Sequence, residues 1–557
     1  MSHTKQWRVP NAACATVLGA LLLLAIAPAA SAAFGFTPYA PLNTNAATDK
    51  GQDYAPSVAT NGLGTWITVW QSNGKSSSAI GSEGDIFYAV STDNGETWSD
   101  PETLNTNATT DTMQDPEPVI ASGGDGNWIV VWASQENVGG TVGTDWDILF
   151  AVSSNDGATW SDPAALNTNA AADSNTDQSP TIACDKNGHW VAVWGTFDSL
   201  GNTIGNDGDI LVSHSNNNGG SWSAPAALNT NAASDTAMDV APRVASDAVD
   251  TWVTVWQVSD SSGGGFGADA DVMCSRSTDD GQTWSAPTPL SDDADSDTTD
   301  EFSASLAADS SGTWMACWTS YEFSGEWEIN VAYCVSPDDG VTWMGPYSLT
   351  TDGDAKTSNE SPSIASDTAG TWMVVWEAWR GLEDTLGKDD DILVTLSNDD
   401  GMTWQPPRAL KLNAPKDDGN DWSPCIASDA AGRWVVAWSS KDTLGDTIGK
   451  DADLLVTTTE YPQAIRILKP NGGEKYARGE KKKMTWTTKL DPNDTVRIEV
   501  WRNGSFVRRV DNSTSNDGVY KLTFPPEATP GDGYTMRVIL KSDPAVFDES
   551  DAPFKVK

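Results

Sequence analysis

Large apolar residues alternate with smaller ones in short runs along most of the chain. Trp190-Val191-Ala192-Val193-Trp194 is one such run, and its period of two predicts a β-strand buried on at least one face. The same Trp-x-x-x-Trp pair recurs at Trp66/Trp70, Trp128/Trp132, Trp190/Trp194, Trp252/Trp256, Trp314/Trp318, Trp372/Trp376 and Trp434/Trp438. Successive pairs are 62 residues apart, except for one step of 58. A repeat of this length built only of strands predicts a propeller or another closed array.

Each unit reads as four strands. Strand A is the Pro-x-Ile-Ala segment, as in Pro180-Thr181-Ile182-Ala183, and strand B is the Trp-x-x-x-Trp run. Strand C starts at an acidic residue plus an aliphatic, as in Asp147-Ile148-Leu149. Strand D ends in a phrase such as Ala165-Leu166-Asn167-Thr168-Asn169. Strands A, B and C each occur seven times, but the turn leading into D occurs six times. The missing D phrase lies at the other end, at Pro41-Leu42-Asn43-Thr44-Asn45-Ala46. The N-terminal strand is therefore expected to complete the last blade and close the ring, which removes open sheet edges. The predicted fold class is all-β: a β-propeller of seven four-stranded blades, six being the alternative, followed by a small β-sandwich.

The C–D turn is the most specific motif. It reads Ser91-Thr92-Asp93-Asn94-Gly95-Glu96-Thr97-Trp98 and recurs at 153–160, 215–222, 277–284, 336–343 and 397–404, with Asn155 and Asn217 replacing the Asp. Glycine supplies a positive φ, and the Asp and Ser side chains bond the turn backbone. These turns resemble the Asp boxes, or bacterial neuraminidase repeats, of the sialidase superfamily over residues 35–460. In that family the boxes are structural and the active site lies on the opposite face. Sialidases have six blades, so a count of seven departs from the pattern.

The ends and the charge divide the chain further. Lys5 and Arg8, an apolar Ala15–Ala27 and Ala30-Ser31-Ala32 have the layout of a secretory signal peptide over residues 1–32. The expected location is therefore outside the cytoplasm: extracellular, periplasmic or cell-surface associated. No later run is long and apolar enough for a membrane span. Residues 33–460 hold 14 lysines and arginines against 65 acids, whereas residues 461–557 hold 17 against 13. So acidic a body excludes nucleic acid and anionic membrane as partners. Residues 461–557 read as short strands with Gly, Pro and Asn turns. Pro470-Asn471-Gly472-Gly473-Glu474, Thr485-Trp486 and Asp517-Gly518-Val519-Tyr520 resemble an immunoglobulin-like module of yeast cell-wall-synthesis proteins. That resemblance implies an accessory role. Five scattered cysteines remain after processing, which is not a disulfide framework. The hairpin holding Cys317 and Cys334 is centred near Phe323 by this reading, which sets Cys317 opposite position 329. The chain is expected to be a monomer.

The B–C and D–A loops share the face away from the boxes, and they are acidic. The D–A loops carry Asp-x-x-x-Asp at Asp49/Asp53, Asp111/Asp115, Asp173/Asp177, Asp235/Asp239 and Asp417/Asp421. The B–C loops end in Asp145/Asp147, Asp207/Asp209, Asp269/Asp271, Asp389/Asp391 and Asp451/Asp453, with Glu83/Asp85 in the first blade. Paired carboxylates are hard oxygen ligands suited to calcium, and the competing reading is turn capping. These ten B–C aspartates are the candidate metal ligands, and calcium is the one cofactor considered. The resemblance implies three arginines on a substrate carboxylate, a Tyr nucleophile with a Glu, and an Asp acid/base. Residues 33–75 contain no arginine, and the propeller holds Arg243, Arg276, Arg380, Arg408 and Arg433. His189 and His214 are too few and too scattered for a histidine triad or a zinc site. Positions that break the repeat are the better candidates for a ligand site: Arg243, Tyr321, Glu322, Trp379 and Arg380. The expected function is a non-catalytic binding protein for a glycan or cell-surface polymer, a cation or a protein at the acidic face. The alternative is an exo-alpha-sialidase or other glycoside hydrolase.

Overall fold

The computed structural model describes residues 36–557 apart from 74–83, 110–112, 141, 260–268, 293, 295–297, 324–326, 351–357, 368–369, 380–385, 387–388, 412–418, 430–431, 460–464, 471–472, 489–494, 504, 526–527, 542–546 and 551–552. Residues 1–32, the expected signal peptide, and Arg380, Glu83, Asp111 and Asp417 lie outside the described residues. Among the described residues, no helix is long and apolar enough to cross a membrane.

Seven four-stranded antiparallel sheets follow one another along the chain. Blade 3 is typical: Asp177–Cys184, Trp190–Thr196, Asp209–Ser215 and Ala226–Ala227 pair in that order. The first strands of neighbouring blades contact one another around the ring, so strand A is innermost. Blade 7 is made of Asp421–Ser428, Trp434–Ser440 and Asp453–Thr458, and its outer strand is Ala40–Pro41 from the N-terminus. Ala40 pairs with Val456 and Pro41 with Leu455, which closes the ring as the strand count requires.

Every Trp-x-x-x-Trp side chain is fully buried or nearly so, because strand B lies in the middle of its sheet with a blade packed on each face. The Asp boxes then wedge one blade against the next. In the first box Ser91 Oγ donates to Asp93 Oδ1 (2.8 Å), and Gly95 N donates to Ser91 Oγ (2.9 Å). Thr97 N and Oγ1 donate to the two Asp93 oxygens at 2.9 and 2.6 Å. Partial burial pushes the Asp93 carboxyl up, but the bonds from Thr97 and Ser91 outweigh it and hold the pKa below the ordinary value. The box tryptophans do more than cover their own blade. Trp160 meets Tyr88, Trp222 meets Phe150 and Trp404 meets Tyr333, each edge-on against strand C of the preceding blade.

In blades 1 and 3 to 7 the inner strand carries a bulge. The residue there has a positive φ, as at Ser179 (51°) and Ser423 (50°), and it precedes proline in five of these blades. A bulge is where a proline costs a strand no ladder hydrogen bond.

Residues 465–557 form two sheets around one core. Ile465, Ile467, Met484, Trp486 and Leu522 of the three-stranded sheet pack with Val496, Ile498, Val500, Met536 and Val538 of the larger one. One expectation needs correcting. The fifth-blade hairpin pairs Phe323 with Trp327, so Cys317 lies opposite Tyr333 and Ala316 opposite Cys334. The two cysteines are one residue out of register, their side chains point to opposite faces of the sheet, and both are buried thiols not joined in a disulfide.

Candidate functional site

The B–C and D–A loops meet at one end of each blade, while the A–B turns meet the boxes at the other. Asn94 N, for instance, donates to Gly64 O of its own A–B turn. At the loop end a buried asparagine from the strand D phrase ties the blades together. Asn229 Nδ2 donates to Asp209 Oδ1 (2.9 Å) of its own blade and to Asp239 Oδ2 (2.7 Å) of the next. Its Oδ1 accepts from Ile210 N (3.1 Å). Asn43, Asn105 and Asn167 repeat the arrangement, and Asn43 joins Asp453 to Asp53 across the ring closure. The asparagine is thus fixed by the need to satisfy two carboxylates and a strand N–H in a buried site.

This bridge separates the two aspartates of three D–A loops among the described residues. The second, Asp53, Asp177 or Asp239, is buried against the asparagine. The first, Asp49, Asp173 or Asp235, turns toward the B–C pair. Three groups of carboxylates result, with one oxygen from each residue all within 4.8 Å: Asp49/Asp451/Asp453, Asp145/Asp147/Asp173 and Asp207/Asp209/Asp235. Burial pushes the carboxyls of Asp49, Asp173 and Asp209 up to about 6, and those of Asp147 and Asp453 to about 7. Their acidic neighbours add to the shift, and the asparagine bonds oppose it. Six of the ten predicted metal ligands therefore fall into three clusters. Asp271 and Asp391 are buried at the matching positions of blades 4 and 6 beside Asp269 and Asp389, and no third described carboxylate joins either pair. The first aspartate of each D–A loop was not among those ten, although its 62-residue recurrence beside the asparagine was in the sequence.

The repeat is broken at blades 4, 5 and 6. In blade 4, Ser291 takes the asparagine position, and Val272 N donates to Glu301 Oε2 (3.1 Å) of the next blade. In blade 5 the bridge is neutral: Thr350 Oγ1 donates to Asn330 Oδ1 (2.9 Å) and accepts from Val331 N (3.0 Å), with Asn359 in the next blade. In blade 6, Lys411 stands where blades 1, 2, 3 and 7 have asparagine. Its buried ammonium lies 2.8 Å from Asp421 and 3.4 Å from Asp442. A further unique group lies between blades 5 and 7. Glu360 and Glu377 are cross-strand partners, so their side chains share one face. Burial pushes the Glu377 carboxyl up to about 7, helped by Asp390 and Glu360 and opposed by the N–H of Ser423. Tyr321 hydrogen-bonds Glu360, and burial and that carboxylate push its phenol up to about 12. Glu377 was missed in the sequence, although the other blades have Gln71, Ala133, Gly195, Gln257, Thr319 and Ser439 there.

Of the predicted ligand residues, Tyr321 and Trp379 lie near this group, and Trp379 is partly exposed at the end of its strand. Glu322 is exposed opposite Glu328. Trp422 lies tilted against Tyr54 (6.3 Å between ring centroids) with Lys441 Nζ 5.6 Å from its ring centroid, forming an aromatic rim at the blade 7/1 junction. Arg243 is on the innermost strand of blade 4, donates to Pro242 O (2.9 Å) and has Glu117 as its charged neighbour. The other described propeller arginines are committed elsewhere. Arg276 donates to Asp339 O and Thr251 Oγ1 at the box end, Arg408 covers the Phe36 ring (5.0 Å), and Arg433 pairs with Glu96 (3.2 Å). At the box end, His189 Nδ1 lies 2.8 Å from Asp185 and 3.4 Å from Asp280.

Such a ring of Asp-box blades defines a propeller of the bacterial-neuraminidase-repeat type. The family described as BNR repeat-like domain matches residues 58–243 and 209–422, and the chain belongs to it. No curated protein matches the chain. Among solved structures, it is similar to the Hadza microbial sialidase Hz136 at 16% identity and a TM-score of 0.40, over 74% of this chain and 66% of that one. It thus spans slightly under two thirds of that sialidase. It is also similar to an ulvan lyase of polysaccharide lyase family PL25 (14%, TM-score 0.47, 73% of this chain and 94% of that one). A third likeness is to the α-L-arabinanase of Penicillium chrysogenum (11%, TM-score 0.40, 76% and 98%).

Proposed function

We propose that the chain is an exported, non-catalytic binding propeller whose ligand surface is the loop face. The observation that carries this reading is the dispersal of the arginines. Arg276, Arg408 and Arg433 are each engaged elsewhere, so among the described propeller arginines only Arg243 is available to an anionic sugar. The carboxylate-lined surface repels such a sugar and suits a neutral or cationic glycan, with Trp379, Trp422 and Tyr54 as stacking planes. The basic C-terminal sandwich, with its likeness to an immunoglobulin-like module, serves as an accessory at the cell surface. The test applies the labelled full chain to a glycan array, alongside a fluorogenic sialoside. Retention of neutral or amino sugars without turnover is the expected result. Catalytic release of sialic acid would overturn the reading.

One observation favours a second reading, that of a glycoside hydrolase. Glu360, Glu377 and Asp390 form a carboxylate group unique to blade 6, and a carboxyl near 7 is matched to proton transfer at neutral pH. Screening the chain on aryl glycosides decides between the two, because turnover abolished by Glu377→Gln would establish hydrolysis.

A further inference from the structure

We propose that the blade 7/1, 2/3 and 3/4 junctions are calcium sites, each formed by one D–A aspartate and the two aspartates of a Gly-x-Asp-x-Asp loop. The blade 3/4 site shows why. Asp207, Asp209 and Asp235 come from two loops and present oxygens within 4.8 Å of one another. Oxygens bound to one calcium at about 2.3–2.6 Å can be no more than about 5 Å apart, so the group already has the dimensions of a coordination shell.

Burial makes the case independently of proximity. Asp209 is fully enclosed, and its Oδ1 takes the Asn229 amide. Its buried Oδ2 has no protein donor, and neither does Oδ2 of Asp207. Asp453 is the same at the ring closure: Oδ1 accepts from Asn43, while the buried Oδ2 has no donor. Leaving a buried carboxylate oxygen unmatched is costly, and a cation is the partner that three such groups share. A side chain on Gly205 or Gly449 would strike the adjacent Asp207 or Asp451, so the glycine lets the loop fold its carboxylate inward.

Two of the three junctions that break the pattern point the same way. At blade 5/6 the carboxylates give way to Asn330, Thr350 and Asn359, and no cation is required. At blade 6/7 the chain supplies its own cation, the Lys411 ammonium. Oxygen-only ligands on irregular loops suit calcium, whereas magnesium demands near-octahedral geometry and keeps its water. The inference goes beyond the proposed ligand surface, since a propeller that binds no glycan must still neutralise these junctions.

The experiment uses the full chain, stripped with a chelator and re-equilibrated with calcium, magnesium or sodium chloride at matched ionic strength. Elemental analysis after desalting should find three or more calcium ions per chain, and calcium alone should raise the melting temperature by several degrees. Asp209→Asn should lose one ion from that count. Should that variant not fold, Asp207→Asn, nearer the surface of the same site, should lose the same ion. Less than one calcium per chain with no thermal shift would overturn the proposal, as would equal stabilisation by magnesium or sodium. Glycan binding that persists in chelator would leave the proposed function standing while the thermal data decide this one.

Discussion

Gly219→Ala tests whether the Asp boxes are inter-blade wedges or merely tight turns. Gly219 has φ +77°, and a Cβ there would come within 2.6 Å of Ile129 Cδ1 and 3.2 Å of Val152 Cγ2, both in the preceding blade. The equivalent glycine of the first box, Gly95, faces Val435 of blade 7 in the same way. Two costs are therefore expected. A left-handed backbone costs an alanine about 1–2 kcal/mol. Overpacking a tight contact costs about 1–3 kcal/mol more, for a sum of about 2–5 kcal/mol. Gly201 separates these terms, because it also has a positive φ (68°) but no heavy atom lies within 4 Å of its Cβ position. Gly201→Ala should show the backbone cost alone. Adding Ile129→Val to Gly219→Ala removes the nearest clashing atom and should recover about 1 kcal/mol relative to additive behaviour. Urea unfolding followed by tryptophan fluorescence measures all four variants. Equal losses for Gly219→Ala and Gly201→Ala, or strict additivity with Ile129→Val, would refute the wedge.

Two further outcomes follow from the buried charges. The Glu377 carboxyl lies at about 7 in the folded chain against an ordinary 4.5, so the folded state holds an extra proton between these values. Its contribution to stability must fall as pH rises through that window. Glu377→Gln should flatten the decline in melting temperature between pH 5 and 8, and an unchanged profile would show that the carboxyl titrates normally. Lys411→Met leaves Asp421 buried without its ammonium, and breaking a buried pair costs about 3–5 kcal/mol. A urea midpoint equal to that of the parent chain would show that Asp421 is neutralised by something else.

The fold was largely legible because its determinants are local and repeated. Tryptophan spacing reports strand B directly, and the Asp box contains its own hydrogen-bond partners within seven residues. Even the ring closure was readable, because Asn43-Thr44-Asn45-Ala46 is a displaced copy of an internal phrase. The site was less legible. Its groups come from two adjacent blades, and no periodicity distinguishes Asp49 facing a neighbour's loop from Asp53 buried against Asn43 four residues on. The fifth-blade hairpin was misplaced because its short loop left nothing to mark the turn's centre.

What remains is why an acidic ring should be built this way at all. An asparagine can bridge two carboxylates only by donating both amide hydrogens, which satisfies one oxygen of each and neutralises neither. The scheme therefore suits a chain outside the cell, where calcium is abundant, better than one that must rely on its own cations. Two of the three exceptions fit that logic. Blade 5 removes the charge and needs no cation. Blade 6 keeps Asp421 and puts a lysine where the asparagine would be. A site that accepts a neutral bridge, an amide with carboxylates or an internal ammonium, without a change in blade geometry, is selected for balanced charge. On that ground the unmatched junctions between blades 7 and 1, 2 and 3, and 3 and 4 are places where the balancing charge comes from solution.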